Sequence, residues 1–207
     1  MTTVVEFVLG GSDLAWSAVG FAVDNSRTVH IGGIRFRFDA GSATTGITSW
    51  VLAEAEACLA TSIDGLATSH TGAPDASGLP MTHPNGVIGV DHVVVYTPDL
   101  ERTCSAITAV TAAPLKRIRE VGALRQGFHR LGEVILEVVT FPEIEPGDAA
   151  FWGLALNVSD IDSMFDTYGP SVLSPPNDAV QQGRRISSFR ESVGLGLPVA
   201  LMTSPQR

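Results

Sequence analysis

Three times in this chain an apolar, strand-like run leads into an aspartate that can cap a helix. Val4 to Leu9 precedes Asp13-Leu14, Ile88 to Tyr96 precedes Asp99-Leu100, and Phe151 to Val158 precedes Asp160-Ile161. An aspartate in that place accepts hydrogen bonds from the free N–H groups of a first helical turn, so each marks a helix start; at the first, Ser12 can serve equally. Further strand-like runs follow each helix. They are Thr28 to Ile31, Ile34 to Phe38 and Gly46 to Leu52 in the first unit, and Leu115 to Val121, Arg125 to Leu131 and Val134 to Thr140 in the second. Arg184 to Arg190 and Leu197 to Met202 follow in the third, where Pro170 and Pro175-Pro176 limit regular structure. The order β, α, β, β, β therefore occurs twice and returns a third time with two strands after the helix, and such recurrence predicts similar modules that share sheets. The fold class is α+β, built from βαβββ modules that share β-sheets.

Within the first unit Ile34, Phe36 and Phe38 alternate with Arg35 and Arg37, the period of a strand with one buried face. Helix residues Leu14, Trp16, Ala18 and Val19 supply apolar contacts, and in the second helix Leu100, Cys104, Ile107 and Val110 form one stripe. From Ala60 to Pro84 the composition turns to Ser, Thr, Gly, Ala and Pro with little periodicity, the character of a linker. The expected division is a solitary module at 1–55, a linker at 56–85 and a paired-module domain at 86–207. A solitary module leaves one sheet face without a partner, so it is expected to dock on the paired domain or on a second copy, and a homodimer is expected.

The 207 residues carry 44% hydrophobic and 17% charged side chains, enough apolar surface for a packed core. A formal net charge of −9 opposes phosphate backbones, so nucleic acid is not an expected partner. No run approaches the ~20 apolar residues of a membrane span, and the N-terminus lacks a signal peptide's pattern, so a cytoplasmic location is expected. Cys58 and Cys104 are too few for a disulfide framework and are read as small buried hydrophobes. There is no Gly-x-Gly-x-x-Gly, phosphate loop, Gly-x-Ser-x-Gly or Cys-x-x-Cys.

The chemistry concentrates in two strands. His92 interrupts Val90-Asp91-His92-Val93-Val94-Val95, and Glu137 interrupts Val134-Ile135-Leu136-Glu137-Val138-Val139. A carboxylate in an apolar strand is costly to bury unpaired, so Glu137 calls for a partner: His92, Arg125 or a metal. Without a metal, a buried Glu137 is a candidate general base. Alternation puts Arg184 and Arg190 on one face of a later strand, where they are candidates for holding a substrate, and Arg185 on the other. With a two-residue turn at Gly132-Glu133, even-numbered residues of the preceding strand share a face with Glu137, so His129 points away.

These segments, with Gly153-Leu154-Ala155-Leu156-Asn157-Val158-Ser159-Asp160-Ile161, resemble the vicinal oxygen chelate superfamily of glyoxalase I, extradiol dioxygenases and bleomycin-resistance proteins. The resemblance covers about 86–204 well and 4–53 loosely. It implies paired modules forming a curved mixed sheet around a cavity and, in members with metal, ligands from the first and last strands of each module. His92 and Glu137 match the first module's ligand positions, whereas the second module's are Gly153 and Ala200, which offer no side-chain ligand. Glu6 matches His92 in the first unit and is the candidate third ligand. The function expected is a glyoxalase-like protein binding a small oxygenated molecule, with an incomplete metal site and either metal-independent or non-catalytic. The alternative is a lyase, isomerase or dioxygenase in which His92 and Glu137 hold zinc, manganese or iron.

Overall fold

The computed structural model describes residues 2–53, 60–72 and 81–204. Cys58 lies outside them. Six strands, β1 (Thr3–Gly10), β2 (Thr28–Ile31), β3 (Ile34–Asp39), β4 (Gly46–Ala53), β5 (Ser62–Ile63) and β6 (Leu66–Thr71), form one sheet in the order β2-β3-β1-β4-β6-β5, with helix α1 (Asp13–Ala18) after β1. A second sheet holds β7 (Val87–Tyr96), β8 (Arg117–Val121), β9 (Leu124–Leu131), β10 (Val134–Thr140), β11 (Ala150–Val158), β12 (Asn177–Asp178), β13 (Arg185–Ser188) and β14 (Val199–Thr203). Helices α2 (Leu100–Thr111) and α3 (Ile161–Tyr168) follow β7 and β11. The order in this sheet is β12-β13-β14-β11-β7-β10-β9-β8.

The larger sheet is two βαβββ modules side by side. In each, first and last strands pair in parallel, β7 with β10 and β11 with β14, and the modules meet along the antiparallel β7/β11 pair. The smaller sheet repeats the central six strands of this plan: β1 pairs in parallel with β3, β1 antiparallel with β4, and β4 in parallel with β6. β4 therefore does not close the first module as its last strand, as the strand order in sequence suggests. It opens an abbreviated neighbour that β5 and β6 complete. Both of those strands come from the stretch with the composition of a linker, where Ile63 and Leu66 are buried among small polar residues and supply the apolar anchors that hold it in the sheet.

The helix starts follow the capping chemistry. Asp99 accepts from Arg102 N and Asp160 from Asp162 N and Ser163 N, while Ser12, not Asp13, caps α1 through Leu14 N. In α2, Leu100, Cys104 and Ile107 are buried as the stripe predicts. The short α1 buries only Trp16; Leu14 is 74% exposed, because six residues offer one turn to the core and not two.

The two sheets pack on each other through the faces that carry the helices. Phe7, Phe36 and Trp50 lie on the face opposite Glu6, Arg35 and Arg37, and Phe7 and Trp50 meet Phe151 of β11 at ring-centroid distances of 6.0 and 5.4 Å. Trp16 Nε1 donates to the Leu195 carbonyl at 3.1 Å, so the indole is both packed and satisfied. His83, in the segment before β7, is buried: its Nδ1 accepts from Ala22 N and its Nε2 donates to the His30 carbonyl. The N-terminal unit thus docks by its helix side, leaving its Glu6 face turned away from the larger sheet. No helix among the described residues is long and apolar enough to cross a membrane.

Candidate active site

The other face of the eight-stranded sheet lines a cavity of about 400 Å³. β7 alternates across it: His92, Val94 and Tyr96 line the cavity while Val93 and Val95 enter the core. One residue breaks the alternation. His92 lies opposite Ala155 and Val90 opposite Leu156, so β7 carries an extra residue, Asp91, in a β-bulge. The bulge brings the Asp91 carboxylate beside the imidazole of its own neighbour, and Asp91 Oδ2 accepts from His92 Nδ1 at 2.8 Å.

A continuous polar line results. Arg184 Nη2 donates to Asp91 Oδ1 at 2.7 Å, Asp91 Oδ2 accepts from His92 Nδ1, His92 Nε2 stands 3.4 Å from Glu137 Oε2, and the Gln126 amide donates to Glu137 Oε1. The rest of the lining is mainly apolar. Burial alone would push the Asp91 carboxyl up, but the hydrogen bonds from His92 and Arg184, with the Arg184 charge, pull it down to about 2. An ionised Asp91 only accepts, which assigns the Nδ1 proton and leaves Nε2 facing Glu137. His92 Nε2 and Glu137 Oε2 thus stand together at the cavity surface.

Asp91 also carries a pH prediction. Its folded carboxyl titrates near 2, below the ordinary 3.8, so it adds stability above the unfolded value, and this is lost as pH falls from 3.8 towards 2. The difference corresponds to about 2 kcal/mol. Acid unfolding of the wild type should show this loss, and Asp91→Asn should flatten that limb of the stability curve. An unchanged limb would contradict the assignment.

The residues expected at the site divide clearly. His92 and Glu137 converge on the cavity. Arg184 shares the face of Ile186 and Ser188, but it is 5% exposed and its guanidinium is engaged by Asp91, Asn157, Gln181 and the Thr203 carbonyl. It braces Asp91 and does not line the cavity. Arg190 lies outside as well, its Nε donating to the Pro170 carbonyl. Glu6 sits in the other sheet, held by Arg35 and Arg37 at 3.1 Å each, and Arg37 occupies the place in β3 that Glu137 occupies in β10. Arg125 pairs with Glu101 and Glu120. His129 is buried, with Nδ1 on the Ala113 carbonyl. Cys104 is a packed hydrophobe whose thiol burial pushes up to about 11. Two contributors escaped the sequence reading. Alternation hid Asp91, whereas Gln126 lies on the even-numbered face of β9 and was legible by the register that sent His129 away.

The donor set falls short of a metal centre. Open catalytic sites use three protein ligands, and the residues in register with His92 are Ala155 on β11 and, on the next strand β14, Ala200. At Gly153 an added Cβ would stand 3.1 Å from the Pro198 carbonyl oxygen, so that position has no room for a ligand side chain without a shift. Among the described residues no group of three His, Cys, Asp or Glu could hold a metal ion.

No family model matches the chain, and no curated protein does. Solved structures that it resembles in fold include methylmalonyl-CoA epimerase from Mycobacterium tuberculosis, 17% identical, covering 60% of this chain and 94% of that one with a TM-score of 0.49. The Streptomyces coelicolor epimerase in complex with 2-nitronate-propionyl-CoA is 17% identical over 56% of this chain and 97% of that one, TM-score 0.46. A hypothetical protein from Bacillus halodurans C-125 is 12% identical over 57% and 95%, TM-score 0.47. At this distance no chemistry passes from them. Strand order and direction define the class: an α+β protein of paired βαβββ modules, with a line of polar side chains on the floor of its cavity.

Proposed function

We propose that the paired-module unit, residues 86–207, binds a small oxygenated molecule in this cavity and moves a proton on a carbon next to a carbonyl, without a metal. The observation that carries the reading is the line Arg184–Asp91–His92–Glu137–Gln126 across a mainly apolar wall. Glu137 takes the proton as general base, and His92, its other nitrogen fixed by Asp91, donates from Nε2 to the oxygen on which the enolate charge develops. Return of the proton completes an isomerisation or racemisation. Assembly as a homodimer through the open Glu6 face belongs to the same proposal.

The test is hydrogen exchange. In D2O, a panel of ketones, hydroxyketones and 2-oxo esters is followed by proton NMR with and without protein. Loss of an α-proton signal faster than in buffer, abolished by His92→Ala, is the expected result. Ligands that bind and never exchange would leave a sequestering protein.

One observation favours a second reading. Gln126 Oε1 is buried with no partner. Turned over, the amide would offer an oxygen beside His92 and Glu137 as a third donor, and oxygen-rich sets suit manganese. Stoichiometric metal in purified protein, lost in His92→Ala, would decide for it.

A further inference from the structure

A second bulge shapes the opposite wall of the cavity. On β11, Phe151 pairs with Val95 and Gly153 with Val94, so Trp152 is the extra residue. Phe151 goes into the core against Phe7 and Trp50, while Trp152 lines the cavity 43% exposed. The other two tryptophans, Trp16 and Trp50, are fully buried. An indole left in water forgoes a large apolar transfer energy, and this one is held in place besides. It stacks on Tyr96 with centroids 4.7 Å apart and planes 14° from parallel, and Phe141 braces Tyr96 edge-on at 5.3 Å. The platform is fixed before any ligand arrives.

Its polar atoms are free to serve a ligand. Neither the Tyr96 hydroxyl nor the Trp152 indole N–H bonds to another described residue. Burial and the Glu137 charge push the Tyr96 phenol up, so it stays a neutral donor. The electrostatics of the wall are one-sided: no lysine or arginine lines the cavity, its ionisable carboxylate is Glu137, and the nearest guanidinium, Arg184, is neutralised by Asp91. An anion would meet Glu137 with no lysine or arginine beside it and with His92 already shared by Asp91 and Glu137, whereas a cationic ring gains from both the carboxylate and the aromatic faces.

We propose that the ligand is a planar aromatic or conjugated molecule, neutral or cationic, that lies on the Trp152–Tyr96 platform with an oxygen directed at His92 and Glu137. This rests on the cavity being the small-molecule site proposed above. It also sets the chain apart from proteins that take acyl-CoA anions.

Calorimetry with three ring probes of similar size tests the idea: N-methylquinolinium, 2-naphthol and 2-naphthoate. The cation and the neutral phenol should bind at least about tenfold more tightly than the anion, in line with one charge pair at partial exposure. Trp152→Ala should weaken both by about tenfold, the scale of one aromatic contact, and Trp152→Phe should restore most of the loss. Circular dichroism on each variant confirms the fold. Equal binding of 2-naphthoate, or indifference to Trp152→Ala, overturns the proposal. Exchange on aliphatic ketones without any ring binding would sink it while leaving the acid–base reading standing. Ring binding through Trp152 without exchange on any compound supports it and removes the acid–base reading instead.

Discussion

Arg184→Met is expected to cost about 3–5 kcal/mol of folding stability, the scale of removing one partner from a buried ion pair. The guanidinium is 5% exposed and the Asp91 carboxylate 6%, and their 2.7 Å contact is joined by Asn157 Oδ1 on the same Nη2. Methionine fills much of the volume but leaves Asp91 charged, buried and held by His92 alone. Urea unfolding at neutral pH reads the loss directly. The penalty should shrink in acid. Without Arg184 the folded carboxyl titrates higher than about 2, so protonation relieves the variant at a pH where the wild type is still held by the pair. In a double-mutant cycle, adding Asp91→Asn to Arg184→Met should recover part of the stability. A loss below about 1 kcal/mol, the range of exposed pairs, would show that water reaches the pair. His92 provides a second readout: with Asp91 displaced, its ring nitrogens should change tautomer balance in nitrogen-15 NMR even though the arginine never touches the ring.

Glu137→Gln should lower the exchange rate by about 10²–10⁴-fold, the usual contribution of a positioned general base. The change is nearly isosteric. The new amide oxygen can still accept from Gln126, and its NH₂ can donate to His92 Nε2, so stability should move by less than about 1 kcal/mol and ligand affinity by only a few-fold. A fall in rate with binding retained marks a group that acts in the transition state. Retained exchange would reassign the base to His92. Simultaneous loss of a stoichiometric metal would support the second reading of the site.

Much of this architecture was legible in the chain. The bounds of β10 and the start of α2 follow from an apolar run and one capping aspartate, since both signals are local. What escaped was non-local. Ile88 to Tyr96 reads as a clean strand, and simple alternation turns Asp91 away from His92; only the pairing with β11 reveals the bulge that brings them together. Alternation groups Arg184 with Arg190 on one face, yet the partner of Arg184 lies 93 residues away, and no spacing rule shows that the guanidinium is already taken. β5 and β6 were hidden for the opposite reason: Ser, Thr and Gly dominate them, and two buried apolar residues among so many small polar ones make too weak a pattern. Gln126 had the register of a site residue, but an amide in a strand draws no attention beside a histidine and a glutamate.

The smaller sheet has the strand order and directions of the central six strands of the larger one, with Glu6 where His92 stands and Arg37 where Glu137 stands. In genealogical terms the chain reads as a pair of modules doubled end to end, the first copy carrying an ion-paired carboxylate where the second carries the histidine. That copy keeps Phe7, Phe36 and Trp50 inside, and on its floor the single carboxylate of Glu6 is held between the two guanidiniums of Arg35 and Arg37.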